Sequence, residues 1–179
     1  MKQKNIETEI RSLITKKQHQ DLLKFFKKDG KFLGEERQVS YYFSGENDLR
    51  IQKSNKSAKI WLKKGKMHED SREEIEIKID KNEFENAKKL FEALDYEVKI
   101  EWFRKRNAFL WKGINVAVDD TKGYGYIIEL EKMCKPIEKE KITNILRVRI
   151  KSLGIEETKK EKFDKKFEYY KKNWKKLIK

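Results

Sequence analysis

The chain of 179 residues has one cysteine, Cys134, one proline, Pro136, and two histidines. A lone cysteine excludes an internal disulfide, and without paired Cys or His spacing the usual structural zinc sites are excluded too, which fits a reducing compartment. No apolar run is long enough to span a bilayer, and Met1 to Arg11 already carries charges of both signs where a secretory leader would be apolar. A cytoplasmic protein with no membrane partner is therefore expected. The eight glycines are scattered singly, so no Pro- or Gly-rich linker divides the chain. We expect one domain over residues 1–179, long enough for a substantial core.

What the chain has in abundance is charge. Lys and Arg number 45 against 31 Asp and Glu, a formal net charge of +14. Such an excess favours anionic partners, phosphates or nucleic acid, although a lysine-rich composition also accompanies heat adaptation. Aromatic residues make up 12% of the chain and sit at periodic positions, which excludes a disordered polyelectrolyte.

The charges are patterned. In the segment Asn5 to Arg11, Glu7, Glu9 and Arg11 alternate with Thr8 and Ile10, and in a strand this period of two puts the charges on one face and the apolar groups on the other. Arg72, Glu74 and Glu76 alternate in the same way with Ile75 and Ile77, and Glu129 and Glu131 with Ile128 and Leu130. Arg50 lies between Leu49 and Ile51, Lys59 and Lys63 alternate with Ile60 and Leu62, and Arg104 and Arg106 follow Phe103. One such face would be an ordinary solvated edge, but these faces are almost purely Glu, Arg and Lys.

Four helices punctuate the strands. Thr15 and Gln18 form a capping box ahead of Leu22, Leu23, Phe25 and Phe26, predicting a helix from about Lys16 to Asp29 that stops at Gly30. Asp80 and Glu83 open a second, with Phe84, Ala87, Phe91 and Leu94 as its buried stripe. Pro136 starts a third that carries Ile142, Ile145, Leu146 and Leu153 and stops at Gly154. Thr158 and Glu161 cap a fourth bearing Phe163, Phe167, Tyr170 and Trp174. Strands are expected at about Gln38 to Phe43, Asp48 to Gln52, Ala58 to Lys63, Ser71 to Ile79, Val98 to Trp111, Ile114 to Asp119 and Tyr126 to Met133. The loop from Gly65 to Asp70 holds His68, which reads as an ordinary surface residue.

The helical stripes need apolar sheet, and the faces that offer it carry Ile10, Ile75, Ile77, Ile128 and Leu130. The charged faces then lie on the other side, and in a closed antiparallel barrel they line the interior. The inward set is Glu7, Glu9, Arg11, Arg50, Lys59, Lys63, Arg72, Glu74, Glu76, Arg104, Arg106, Asp119, Glu129 and Glu131, seven acidic and seven basic. Desolvation costs several kcal/mol per ion and pairing often only breaks even, so function rather than stability must explain the set. Carboxylates suit hard divalent cations and Arg and Lys suit phosphate oxygens, together a site for a metal-complexed polyphosphate.

These residues resemble the CYTH family, the triphosphate tunnel metalloenzymes. The strand Glu7-x-Glu9-x-Arg11 looks like the family's N-terminal Glu-x-Glu-x-Lys signature, and Arg72-x-Glu74-x-Glu76 is similar to its central Arg-x-Glu-x-Glu strand. Asp119, Gly125 and Glu129-Leu130-Glu131 match its C-terminal elements, so that the likeness runs from about Ile6 to Met133. It implies an α+β fold: an eight-stranded, closed antiparallel tunnel with a charged interior and helices packed outside, those from about residue 136 included. It also implies Mg²⁺ or Mn²⁺, held by Glu7, Glu9, Glu129 and Glu131 with Asp119 at a second position, and phosphates clamped by Arg50, Lys63, Arg72, Arg104 and Arg106. Lys59 and Arg11 join the substrate-binding set. The signature Lys is Arg11 here, which stays protonated and cannot act as a base. Activation of water by a bound metal is therefore expected, with Arg11 orienting and neutralising and Glu9 or Glu76 assisting.

The leading expectation is a metal-dependent triphosphatase acting on inorganic tripolyphosphate or an organic triphosphate such as thiamine triphosphate or a nucleotide. The first alternative is a class IV-type adenylate cyclase. The second is a non-catalytic binder of polyphosphate, nucleotide or RNA, for which Tyr169, Tyr170 and Trp174 among Lys171, Lys172, Lys175 and Lys176 would form a stacking platform. The helical spacing of Phe163, Phe167, Tyr170 and Trp174 argues instead that they pack inside the protein.

Overall fold

In this computed structural model residues 6–63 and 74–179 are described. Their elements, in chain order, are β1 (Ile6–Ile14), α1 (Lys16–Asp29), β2 (Lys31–Phe43), β3 (Asp48–Ser54), β4 (Ala58–Lys63), β5 (Glu74–Ile79), α2 (Phe84–Ala93), β6 (Val98–Trp111), β7 (Ile114–Thr121), β8 (Gly125–Cys134), α3 (Lys139–Ser152) and α4 (Lys160–Leu177). A 3-10 turn precedes each of α2 and α3. The protein is thus α+β, with one eight-stranded sheet in the order β1-β8-β7-β6-β2-β3-β4-β5.

The sheet is open, which corrects the closed barrel expected from the sequence. Among the described residues no ladder joins β5 to β1, and at Leu13 the β1 backbone meets a loop instead: Leu13 N–H donates to Thr158 Oγ1 at 3.0 Å. Ser12 Oγ beside it donates to the Glu156 carbonyl at 2.8 Å and accepts from Thr158 N–H at 3.0 Å. Alternation of charge reports which face a side chain takes, and it carries no information about what meets the edges. The same bonds explain why Thr158 does not serve as the cap of α4.

Two compact units make up the chain, the first of Met1–Glu35, Arg106–Asp120 and Gly125–Phe163, the second of Glu36–Lys105, Thr121–Tyr124 and Asp164–Lys179. In the first, α1 forms where predicted: Thr15 accepts from Gln18 N–H, and the Gln18 side chain accepts from Thr15 N–H. Its buried stripe joins α3 and the apolar faces of β1 and β8 in one core containing Ile10, Ile14, Leu22, Phe26, Ile128, Leu130, Ile142 and Leu146. Thr8, Ile10, Ser12 and Ile14 are buried along β1, whereas Glu7 and Glu9 are exposed, so the predicted division of faces holds.

In the second unit, α2 covers Val39, Tyr41, Phe43, Leu49 and Ile51 through Phe84, Ala87 and Phe91. Leu94, expected in that stripe, is exposed, and so are Ile75 and Ile77 of β5. β5 has a partner on one side among the described residues and is only six residues long, so its apolar groups lie beyond the reach of the ten-residue α2. The expectation that the helices lie on the apolar side fails for α4. Phe167 and Tyr170 pack against Trp102, 6.3 and 5.1 Å between ring centroids, and Phe167 meets Tyr42 at 6.3 Å. Trp102 lies two positions from Arg104 on β6, and Tyr42 stands directly opposite Arg50 across β2 and β3, so each aromatic shares a face with its base. An aromatic stripe seeks aromatic surface wherever it lies, and Trp102, Tyr42 and Tyr124 supply it on the charged side. Phe163, Phe167, Tyr170 and Trp174 are all buried, as their spacing suggested. Tyr170 and Trp174 are thereby lost to a nucleic-acid platform.

Candidate functional site

In the first unit, antiparallel register sets the acidic signature of β1 against that of β8. Arg11 stands opposite Glu129 and Glu9 opposite Glu131, while Glu7 faces Met133. Two carboxylates directly opposite each other repel, so the Glu9–Glu131 pair is an arrangement that a cation would relieve. Arg11 lies 3.8 Å from Glu9, and its guanidinium sits over the Phe163 ring at 5.1 Å.

Arg106, on β6, is held by two carboxylates of this unit. Its Nε donates to both Asp119 oxygens at 3.0 and 3.2 Å, and Nη2 donates to Asp119 Oδ2 at 2.7 Å and also to the Glu129 carboxylate. Asp119 is fully buried. Burial works against the charge on Arg106, but attraction to Glu129 and Asp119 and the hydrogen bonds to both outweigh it and push the guanidinium further above its ordinary range. In this structure Asp119 therefore anchors Arg106.

The second unit holds most of the remaining predicted bases. Cross-strand partners run Tyr42 to Arg50, Arg50 to Trp61 and Trp61 to Glu76, a row that crosses β2, β3, β4 and β5. Arg50 Nε donates to Asp48 Oδ1 at 2.5 Å, Nη2 also donates to that carboxylate, and Nη1 donates to Tyr42 Oη at 3.1 Å. Lys59 donates to Glu76 at 2.7 Å. Arg104 Nε donates to Gln38 Oε1 at 2.8 Å. Lys63 stands opposite Asp48 and Glu74 in the ladders. Arg72 and His68 lie outside the described residues.

Tyr42, Asp48, Trp61, Gln38 and Phe163 carry no site role in the reading of the sequence. Asp48 and Trp61 were within reach of it, since Asp48 is two residues before Arg50 and Trp61 sits between Lys59 and Lys63 at the strand period. Tyr42, Gln38 and Phe163 come from other elements, and no spacing could have paired them with their partners.

The donors suit a hard divalent ion. Carboxylate oxygens are what Mg²⁺ or Mn²⁺ takes, and Mg²⁺ is ordinarily held by one or two carboxylates together with substrate phosphates rather than by an all-protein cage. Among the described residues no group of three or more acidic or imidazole ligands converges, while the opposed pair Glu9 and Glu131 offers the smaller donor set. Among the described residues no helix is long and apolar enough to cross a membrane.

The structure defines an α+β protein built on one antiparallel sheet, with α1 and α3 on the apolar face of β1 and β8 and opposed carboxylates on the other face of that pair. The model of the CYTH domain matches residues 5–163, and the chain belongs to that family. A protein of Methanocaldococcus jannaschii, provisionally named an adenylate cyclase, is 32% identical over 163 residues, 84% of this chain and 90% of its own. Among solved structures, a conserved hypothetical protein of Pyrococcus furiosus superposes with a TM-score of 0.70 at 22% identity, over 87% of this chain and 93% of that one. A Hippeastrum protein named for an adenylyl cyclase, and described as having a dominant triphosphatase activity, gives 0.66 at 21% identity over 90% and 94%. At those identities the two structures speak for the fold.

Proposed function

We propose that this chain is a metal-dependent triphosphatase that cleaves the terminal phosphoanhydride of a triphosphate. The observation that carries this reading is the β1–β8 register, which opposes Glu9 to Glu131 and Arg11 to Glu129 on a face left open by the core. Family membership supports it, as does the activity described for the Hippeastrum relative.

Glu9 and Glu131, with Glu7 and Glu129 beside them, would hold Mg²⁺ or Mn²⁺, and Asp119 would help only by giving up bonds to Arg106. Such an ion, when bound, neutralises phosphate charge and makes water a better nucleophile at neutral pH. Arg11, Arg50, Lys59, Lys63, Arg104 and Arg106 would neutralise the non-bridging oxygens, with Arg72 joining them. Their charge matters most in the transition state, where negative charge moves onto the leaving pyrophosphate. Arg11 keeps its proton and so orients rather than abstracts. Glu9 or Glu76 is left to accept a proton from the attacking water.

The test is release of orthophosphate and pyrophosphate from tripolyphosphate, thiamine triphosphate and ATP, with Mg²⁺ and with Mn²⁺, beside Glu129→Gln. Orthophosphate release that the substitution removes is the expected result, and unchanged turnover in Glu129→Gln would overturn the assignment. A second reading, an adenylate cyclase, is favoured by the name of the M. jannaschii relative. Pyrophosphate as the only inorganic product from ATP would establish it.

A further inference from the structure

Trp61 lies at the centre of a group of cations. The Lys63 and Lys59 ammonium groups sit 3.9 and 4.2 Å from its ring centroid, and the Arg50 guanidinium sits 5.4 Å from it. The two lysines come from positions two before and two after Trp61 on β4, and Arg50 is its cross-strand partner on β3. Arg50 also lies 4.2 Å from the Tyr42 ring. Three like charges on neighbouring positions of one face repel each other and, as solvated chains, would point apart. Here the electron-rich indole gathers them, while Glu76 and Asp48 hold Lys59 and Arg50 from the side.

We propose that Trp61 is a positioning residue for phosphate binding, presenting Lys59, Lys63 and Arg50 as one prearranged anion-binding row. The inference rests on the triphosphate reading above and names the part of β3 and β4 that grips the phosphate chain. Long basic side chains lose rotamer freedom when they close on an anion. With Trp61 in place much of that freedom is already lost before the anion arrives, so the gain appears in affinity. Because its ring already holds ammonium groups, Trp61 serves as their support and not as a bare platform for an organic base.

The test compares wild type with Trp61→Leu and Trp61→Phe, using calorimetric binding of tripolyphosphate with Mg²⁺ at rising salt, steady-state KM and kcat, and thermal melting. Trp61→Leu is expected to raise Kd and KM about tenfold with kcat little changed, as lost cation–π attraction converts to affinity. Trp61→Phe keeps an aromatic face and is expected to recover most of that loss. Unchanged Kd and KM in Trp61→Leu, in a wild type that hydrolyses tripolyphosphate, would overturn the inference and leave the triphosphatase standing. Trp61→Phe as weak as Trp61→Leu would overturn it as well. Should Trp61→Leu fail to fold, Trp61→Met takes its place: an affinity equal to wild type overturns the inference, and a loss of about tenfold that Trp61→Phe largely recovers supports it. A wild type that binds tripolyphosphate without cleaving it would refute the hydrolase, and Trp61 would still be judged by Kd. No binding of any triphosphate would overturn both.

Discussion

The guanidinium of Arg11 lies over the ring of Phe163, 5.1 Å from its centroid, so the residue that departs from the family signature is seated on the first turn of α4. Phe163 is buried, and its ring gives a flat cation a flat partner. Lysine could offer only a point charge there. The substitution in the signature and the aromatic stripe of α4 are therefore one arrangement.

Arg11→Lys is accordingly expected to weaken triphosphate binding. Loss of about 0.5–1 kcal/mol of stacking corresponds to a rise of roughly twofold to fivefold in KM. Steady-state kinetics would check it, and a KM unchanged or lower would show that the stacked guanidinium does not serve the substrate.

Asp119 is expected to matter for stability as much as for chemistry. It is fully buried and its two oxygens accept three hydrogen bonds from Arg106. Asp119→Ala strands part of a half-buried guanidinium, and breaking a pair of this kind costs about 3 kcal/mol. Urea unfolding would measure it; a loss below about 1 kcal/mol would mean that Glu129 alone satisfies Arg106.

Glu131→Gln should act in opposite directions with and without metal. Without metal it removes the repulsion between Glu131 and Glu9 across the β1–β8 ladder, a gain of about 0.2–1 kcal/mol. With Mg²⁺ and tripolyphosphate the wild type should be stabilised by ligand binding and the variant much less, because binding to the folded state alone shifts the equilibrium. Thermal melts in chelator and in Mg²⁺ with tripolyphosphate distinguish the two effects. Equal shifts on adding ligand would remove Glu131 from the metal site.

Stability should fall on the alkaline side. Burial pushes the Tyr170 phenol up to about 12, with Tyr42 and Glu101 adding to the shift. The unfolded phenol titrates near ~10, so between the two values the unfolded chain binds fewer protons than the folded one and stability declines as pH rises. The contribution is complete below about pH 10 and is lost by about pH 12. Tyr170→Phe should make this decline shallower while costing about 1 kcal/mol at neutral pH, since the phenol donates to the Glu101 carbonyl at 2.9 Å. Tyr41, raised by burial and then by Glu101, Glu85 and Glu92, keeps part of the slope. A pH profile identical in both proteins would refute the assignment.

Much of the site was legible because strand period and residue type suffice to place a charge on a face. Glu9, Arg11, Arg50, Lys59, Arg106, Glu129 and Glu131 all share faces with the neighbours assigned to them, and α1 begins at the capping box that Thr15 and Gln18 announced. What each charge touches was not legible. Arg106 finds Asp119 from β7, Arg50 finds Tyr42 from β2, and Arg104 finds Gln38, a residue 66 positions away.

By itself, then, the sequence determined the helices, the position of most strands, the alternation of charged and apolar positions along β1 and β8, and the family, whereas β2 starts at Lys31 and not at Gln38. These depend on contacts between near neighbours and on periods of two and 3.6 residues, which any short window contains. Tertiary structure alone decided that the sheet stays open, with the loop at Thr158 bound along β1, and that α4 lies on the charged face. Both outcomes depend on which surface a distant segment finds complementary: a hydroxyl within reach of the Leu13 N–H, and an aromatic stripe within reach of Trp102 and Tyr42. Such matches are made in three dimensions between residues whose separation along the chain carries no periodic trace.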